Sequence, residues 1–164
     1  MSQPNEPKII MPDLPINKKF GNAKFEQIFD PVTIDRAEKT VDQSQEVFKS
    51  ETTNDYDNLK KSFAKLPAGT INRDALLEFS ELAFSIKSRA ATGGLPLASE
   101  IANSMYKFCD AAYIHIPEDA YSVIKLHIDA LVQVFEHGFA ADNNAMAKKL
   151  VRGLEDVVHK FLGK

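Results

Sequence analysis

Apolar residues recur along most of the chain at intervals of three and four, and no segment alternates with a period of two. From Pro31 onward, Ile34, Ala37, Val41, Phe48, Tyr56, Leu59, Phe63 and Leu66 keep this spacing, which lays them along one face of a long helix with Pro31 in its first turn. The polar middle of that segment, Lys49 to Asp55, has weak helix propensity, so a bend or interruption is expected there. Pro67-Ala68-Gly69-Thr70 ends it. Asn72 then caps a second helix running to about Ala91, with Leu76, Phe79, Ala83, Ile86 and Ala90 as its inward stripe. Thr92-Gly93-Gly94-Leu95-Pro96 breaks the pattern, and a third helix from about Pro96 to Ile114 turns Ala98, Ile101, Ala102, Met105, Phe108 and Ala112 inward. So short a loop implies an antiparallel hairpin, and Ala83, Ala90, Ala98 and Ala102 let its two axes approach closely.

Pro117-Glu118-Asp119 opens a fourth helix, because proline and acidic residues both suit a first turn; Ala120, Ile124, Ile128, Leu131 and Phe135 form its buried side and Gly138 ends it. Asp142 caps a last helix whose Met146, Leu150, Leu154, Val157 and Phe161 face inward as far as Gly163. The periods together predict an all-α fold, an antiparallel four-helix bundle with an additional long N-terminal helix. Residues 1–30 differ: Pro4, Pro7, Pro12, Pro15 and Gly21 interrupt a stretch without any period, which reads as an irregular, flexible arm. Its Ile9, Ile10, Met11, Leu14, Phe20, Phe25, Ile28 and Phe29 suit partial docking on the bundle or on a partner. The expected organisation is thus an arm over 1–30 and a bundle domain over 31–164.

Composition narrows the class. With 164 residues, 44% hydrophobic and 26% charged, the chain suits one globular core, which argues against wholesale disorder and a collagen-like protein. A net charge of -3 and a pI near 5.8 give no overall attraction to a nucleic-acid backbone or an anionic membrane surface. No stretch approaches the roughly 18 apolar residues of a membrane span, and MSQPNEPKIIMPDLP lacks the basic start and apolar core of an export signal. The single cysteine, Cys109, rules out an internal disulfide and a cysteine-clustered metal site. A cytoplasmic protein is the expectation.

Candidate chemistry is sparse. His115, His127, His137 and His159 lack the i, i+4 spacing of metal ligands; His127 sits beside the buried row of the fourth helix, and His137 and His159 suit the negative ends of helix dipoles. Cys109, beside Phe108, reads as a half-buried structural thiol. Thr92-Gly93-Gly94 follows a helix and lacks the spacing of a phosphate-binding loop, so it reads as a turn. The carboxylate pairs Glu78/Glu81 and Glu118/Asp119 and the basic cluster Lys148-Lys149 with Arg152 read as solvated helix faces. No catalytic centre, no metal site and no cofactor is expected.

The informative stretch is Glu81-Leu82-Ala83-Phe84-Ser85-Ile86-Lys87-Ser88-Arg89-Ala90-Ala91-Thr92-Gly93-Gly94, followed by Leu97-Ala98. It resembles the signature of histidine-phosphotransfer domains, with which Ala83, Ile86, Lys87, Ala90, Ala91, Gly94, Leu97 and Ala98 fall into step over the hairpin from about Asn72 to Ile114. In that family an exposed histidine exchanges phosphate with an aspartate of a receiver domain, a lysine one turn on helps neutralise the phosphoryl charge, and a glycine leaves room for the receiver. Here Lys87 keeps the lysine position, Ser88 replaces the glycine, and Phe84 stands where the histidine belongs. A phenyl ring carries no phosphoryl group, so the resemblance implies docking without transfer.

The inward row Phe79, Ala83, Ile86 and Ala90 leaves Ser80, Phe84, Lys87 and Ser88 on the opposite side of the helix. The expectation is a non-catalytic adaptor that binds a receiver or histidine-kinase domain through Ser80, Phe84, Lys87, Ser88 and Arg89, with the aromatic ring as anchor. An alternative is a structural, oligomerising bundle in which the long helix and the arm pair with another copy and Phe84 lies in that interface. A third reading keeps phosphotransfer on another histidine, such as His127, which lacks the surrounding pattern of the family.

Overall fold

A computed structural model of the chain describes residues 31–136 and 145–162. Five helices follow one another: α1 Pro31–Ala64, α2 Arg73–Thr92, α3 Pro96–Ala112, α4 Ala120–Phe135 and α5 Ala145–Leu162, with no strand among the described residues. The fold is all-α, as the period predicts. The arm over 1–30, His137, Gly138, Asp142 and Gly163 lie outside the described residues.

The chain divides into two units, Met1–Thr40 and Val41–Lys164. The described part of the first is the opening of α1, where Lys39 pairs with Asp35 at 2.8 Å and the Thr40 hydroxyl donates to the Arg36 carbonyl at 2.9 Å, both one-turn contacts. The second unit holds the core.

The ends of α2 and α3 are set by local chemistry. The Asn72 side chain accepts from the Ala75 amide at 2.8 Å, closing the start of α2. At its other end the Leu95 amide donates to the Ala90 carbonyl at 2.8 Å across Gly94, whose φ of +73° suits a residue without a Cβ. Pro96 starts α3 one residue later, where its missing amide hydrogen is of no consequence. The chain therefore doubles back at Gly93-Gly94, and Ser99 early in α3 donates its hydroxyl to the Lys87 carbonyl at 2.8 Å, as an antiparallel hairpin requires. Ala83, Ala90, Ala98 and Ala102 are all fully buried, so the two axes come close along the seam.

α3 is the central element. It packs on α2, α4 and α5, while α4 and α5 also touch each other. Its Ile101, Met105 and Phe108 meet Leu76, Phe79 and Ile86 of α2, Ile124 and Leu131 of α4 and Leu154 of α5 in one core cluster. Full burial of each such side chain stabilises the fold by roughly 1.5–3 kcal/mol.

The second half of α1 joins this core through Tyr56 and Leu59, with Phe63 partly buried against it. Its ring contacts reach two helices: Phe63 lies 6.1 Å from Phe79 of α2 and 4.8 Å from Tyr121 of α4, and Tyr56 stacks on Phe135 at 4.6 Å. The expected interruption at Lys49–Asp55 does not occur; α1 runs unbroken. The hydroxyls of Thr52 and Thr53 donate to the carbonyls one turn back, Phe48 and Lys49, at 2.6 and 3.0 Å, and Glu51 and Asp55 pair with Arg89 of α2. Tertiary contacts there outweigh weak intrinsic propensity. The early part of the expected inward row is not buried, since Ala37 and Val41 are exposed and Ile34 is half-buried.

In α5 the buried side chains are Ala147, Val151, Leu154 and Val158, whereas Leu150, Val157 and Phe161 are only half-buried. Leu154 is buried as expected, and Val151 and Val158 take the places expected of Leu150 and Val157. Among the described residues, no helix is long and apolar enough to cross a membrane.

Candidate functional site

The hairpin of α2 and α3 presents one side to solvent. On α2, inward packing of Phe79, Ala83, Ile86 and Ala90 turns Phe84 outward, and the residue is 51% exposed. Leu77, two turns earlier on the same side, is 50% exposed. Tyr106 on α3 and Tyr113 just past its end are likewise seven residues apart, half-buried and exposed respectively, and Ile114 follows in the open. Register brings the two rows together: Phe84 and Tyr106 have ring centroids 5.7 Å apart, tilted by 54°. This distance is within the range in which aromatic rings attract edge to face.

Cationic groups border these rings. The Lys87 ammonium stands 5.6 Å from the Tyr106 ring centroid, and the Arg73 guanidinium stands 5.9 Å from that of Tyr113 while its Nη2 reaches the Ile114 carbonyl at 3.5 Å. Ser88 is exposed and returns its hydroxyl to the Phe84 carbonyl at 2.9 Å; Ser80 is half-buried one turn before Phe84. The surface is therefore an apolar and aromatic strip with positive charge at Lys87 and Arg73.

Ser80, Phe84, Lys87 and Ser88 thus share one region, and Arg89 lies elsewhere. Its guanidinium points to α1, where Nη1 pairs with Asp55 and Nε lies 3.2 Å from Glu51. Asp55 is mostly buried in this pair, so Arg89 locks α2 to α1. Sequence reasoning missed Tyr106, Tyr113, Leu77 and Arg73. A reflection of the chain about Leu95, beside the Gly93-Gly94 turn, was the available signal for Tyr106, since an antiparallel hairpin sets residues equally far from the turn side by side.

The remaining candidates are structural in their surroundings. Cys109 is buried, and burial pushes its thiol up to about 12. His127 is wholly buried, beyond the core-edge position expected of it, with Nδ1 2.8 Å from the Val123 carbonyl and Nε2 3.0 Å from Ser104 Oγ. Burial holds its pKa below the ordinary histidine value. Both ring nitrogens are occupied and no face of the ring is open to a second protein, which overturns His127 as a phosphate acceptor.

Between α1 and α2 lies an open, polar groove of about 490 Å³, with Lys61 and Lys65 on one wall and Glu78 and Glu81 on the other; Ser62 donates to Glu78 across it. Among the described residues no three histidine, cysteine or acidic side chains gather as metal ligands. The class defined by these features is an all-α bundle carrying a two-helix aromatic face. Comparison of the chain with protein-family models, with curated proteins and with solved structures finds no match.

Proposed function

We propose that the solvent side of the α2–α3 hairpin is a docking face, and that the chain is a non-catalytic signalling module binding a receiver or histidine-kinase domain without phosphotransfer. The observation that carries this reading is the half-exposed Phe84 ring, at the position where the resembled family bears its histidine, set against Tyr106 with Lys87 one turn on. Four of the large exposed apolar side chains, Leu77, Phe84, Tyr113 and Ile114, fall on this hairpin, and protein interfaces are built on such aromatic and aliphatic anchors with a polar rim. On this reading α2 to α5 form the antiparallel four-helix bundle of the family and α1 is an addition. Ser80, Phe84, Lys87 and Ser88 touch the partner, and Arg89 serves the site by holding α2 on α1. A cytoplasmic location goes with such partners.

Amide chemical-shift mapping of the full chain, titrated with purified receiver domains and with purified histidine-kinase dimerisation domains, tests the proposal. Shifts concentrated on residues 77–88 and 103–114 with one of these classes support it. Saturating additions of both classes that leave this face unmoved refute it.

A second reading, a structural protein that pairs with its own copy, draws on α1, where Val41 and Val47 are 55% and 57% exposed. Mass in solution separates the two. A monomer at every concentration excludes self-pairing.

A further inference from the structure

His127 is the one ionisable side chain in the core apart from Cys109 and Tyr56 among the described residues, and the docking proposal makes no use of it. It lies in the middle of α4 with buried Val123, Ile124, Ile128 and Leu131 as neighbours on its own helix. Facing it from α3 is Ser104, itself set among the buried Ile101, Met105 and Phe108. A carbonyl oxygen only accepts, so Nδ1 carries the hydrogen given to Val123, and Nε2 accepts from the Ser104 hydroxyl. The neutral ring is therefore fully satisfied and ties α4 to α3 across the core.

A proton added to Nε2 would reverse the Ser104 bond, since that nitrogen then donates and the hydroxyl hydrogen must leave its acceptor. It would also leave a charge without a counter-ion. The buried polar side chains of the described residues are Thr52, Ser104 and His127, with no carboxylate among them. On α3, Cys109 is a neutral thiol, and Glu100, Lys107 and Asp110 are exposed. On α5 the buried face is Ala147, Val151, Leu154 and Val158, and the charged residues Lys148, Lys149, Arg152, Glu155, Asp156 and Lys160 are exposed, as is His159. From α1, Tyr56 and Lys60 are both engaged by Glu136 at the end of α4, the Tyr56 hydroxyl donating to it at 2.8 Å and the Lys60 ammonium pairing with it. On α4 itself Lys125 and Asp129 pair with each other at 2.6 Å at the surface.

We propose that the His127–Ser104 pair is an acid-sensitive latch between α3 and α4, closed while the imidazole is neutral and opened by its protonation. The sign follows from linkage. The folded state binds this proton less readily than the unfolded chain, so the contribution is complete above the unfolded value of 6.5 and is lost as pH falls below it.

The test is thermal unfolding of the full chain between pH 7.5 and 5.5, for the natural protein, His127→Gln and the exposed-site control His159→Gln. The latch predicts a fall in Tm of about 4 °C in the natural protein and the control, reduced to about 1 °C in His127→Gln. Equal falls in all three overturn it. Should His127→Gln fail to fold, the ring C–H resonances of the natural protein decide. One histidine that keeps its neutral shift until the native signals vanish supports the latch, and ordinary midpoints near 6.5 for all histidines refute it.

Discussion

The ring of Phe84 on α2 and that of Tyr106 on α3 lie 5.7 Å apart, tilted by 54°, and Tyr106 also receives the Lys87 ammonium on its face. The candidate docking surface is thus a property of two helices held in register, not of one helix with an exposed ring. That register is held by the Gly94 turn and by the Ser99 hydroxyl donating to the Lys87 carbonyl.

Phe84 and Phe79 sit five residues apart on α2 with opposite surroundings, the first half-exposed and the second fully buried. Phe79→Ala is expected to lower stability by about 3–5 kcal/mol through loss of buried surface and a residual cavity, while Phe84→Ala lowers it by about 1 kcal/mol or less. Urea unfolding followed by circular dichroism measures both. Equal losses would place Phe84 inside the packed structure.

Arg89 reaches Asp55 and Glu51 at once, and Asp55 is largely shielded from water. Arg89→Ala leaves that carboxylate without its partner, with an expected loss of about 1–3 kcal/mol. Arg89→Lys recovers only part of this, because an ammonium cannot span two carboxylates as a guanidinium does. The readout is again urea unfolding; full recovery by lysine would contradict the two-point geometry.

Gly93 and Gly94 differ in what they tolerate. A Cβ on Gly93 would stand 3.1 Å from the Lys49 amide nitrogen and 3.3 Å from the Phe48 carbonyl carbon, so Gly93→Ala must push α1 away from the turn. Such overpacking is expected to lower stability by about 1–3 kcal/mol. At Gly94 space is open and the penalty is the positive φ alone, of roughly 1 kcal/mol. Thermal unfolding of the two alanine variants ranks them, and a Gly93→Ala protein as stable as the natural one would contradict the close approach.

Tyr56 links α1 to the end of α4 by giving its hydroxyl to Glu136, and burial followed by that bond raises its pKa from 10.0 to about 12. A raised value means the folded state holds the proton more firmly than the unfolded chain. The associated stability is complete below pH 10 and declines as pH rises toward 12. Unfolding midpoints measured at pH 9 and 11 should therefore fall further for the natural protein than for Tyr56→Phe. Parallel declines would remove Tyr56 as the cause.

Much of the hairpin was legible beforehand because its signals are local: Asn72 as cap, Gly93-Gly94 as the turn and Pro96 as the start of the next helix all act within a turn of themselves. The inward stripe of α2 follows from period alone, and with it the outward direction of Phe84. Elsewhere longer-range contacts decided. Nothing near Lys49–Asp55 announces that Arg89, some 35 residues on, would brace that stretch. In α5 both Leu150 and Val151 join an apolar row through Leu154, at spacings of four and three, so period could not choose between them. His127 was placed at the core edge because its partner, Ser104, belongs to another helix.

The most direct test of the docking face is calorimetric titration of purified receiver and histidine-kinase domains into the natural chain, Phe84→Asp and, as a control on another exposed apolar residue, Leu126→Asp of α4. The account predicts binding by the natural chain and by Leu126→Asp, with affinity reduced at least about 30-fold in a folded Phe84→Asp, an anchor-sized loss of about 2 kcal/mol. Equal binding by all three, or binding by none, contradicts it.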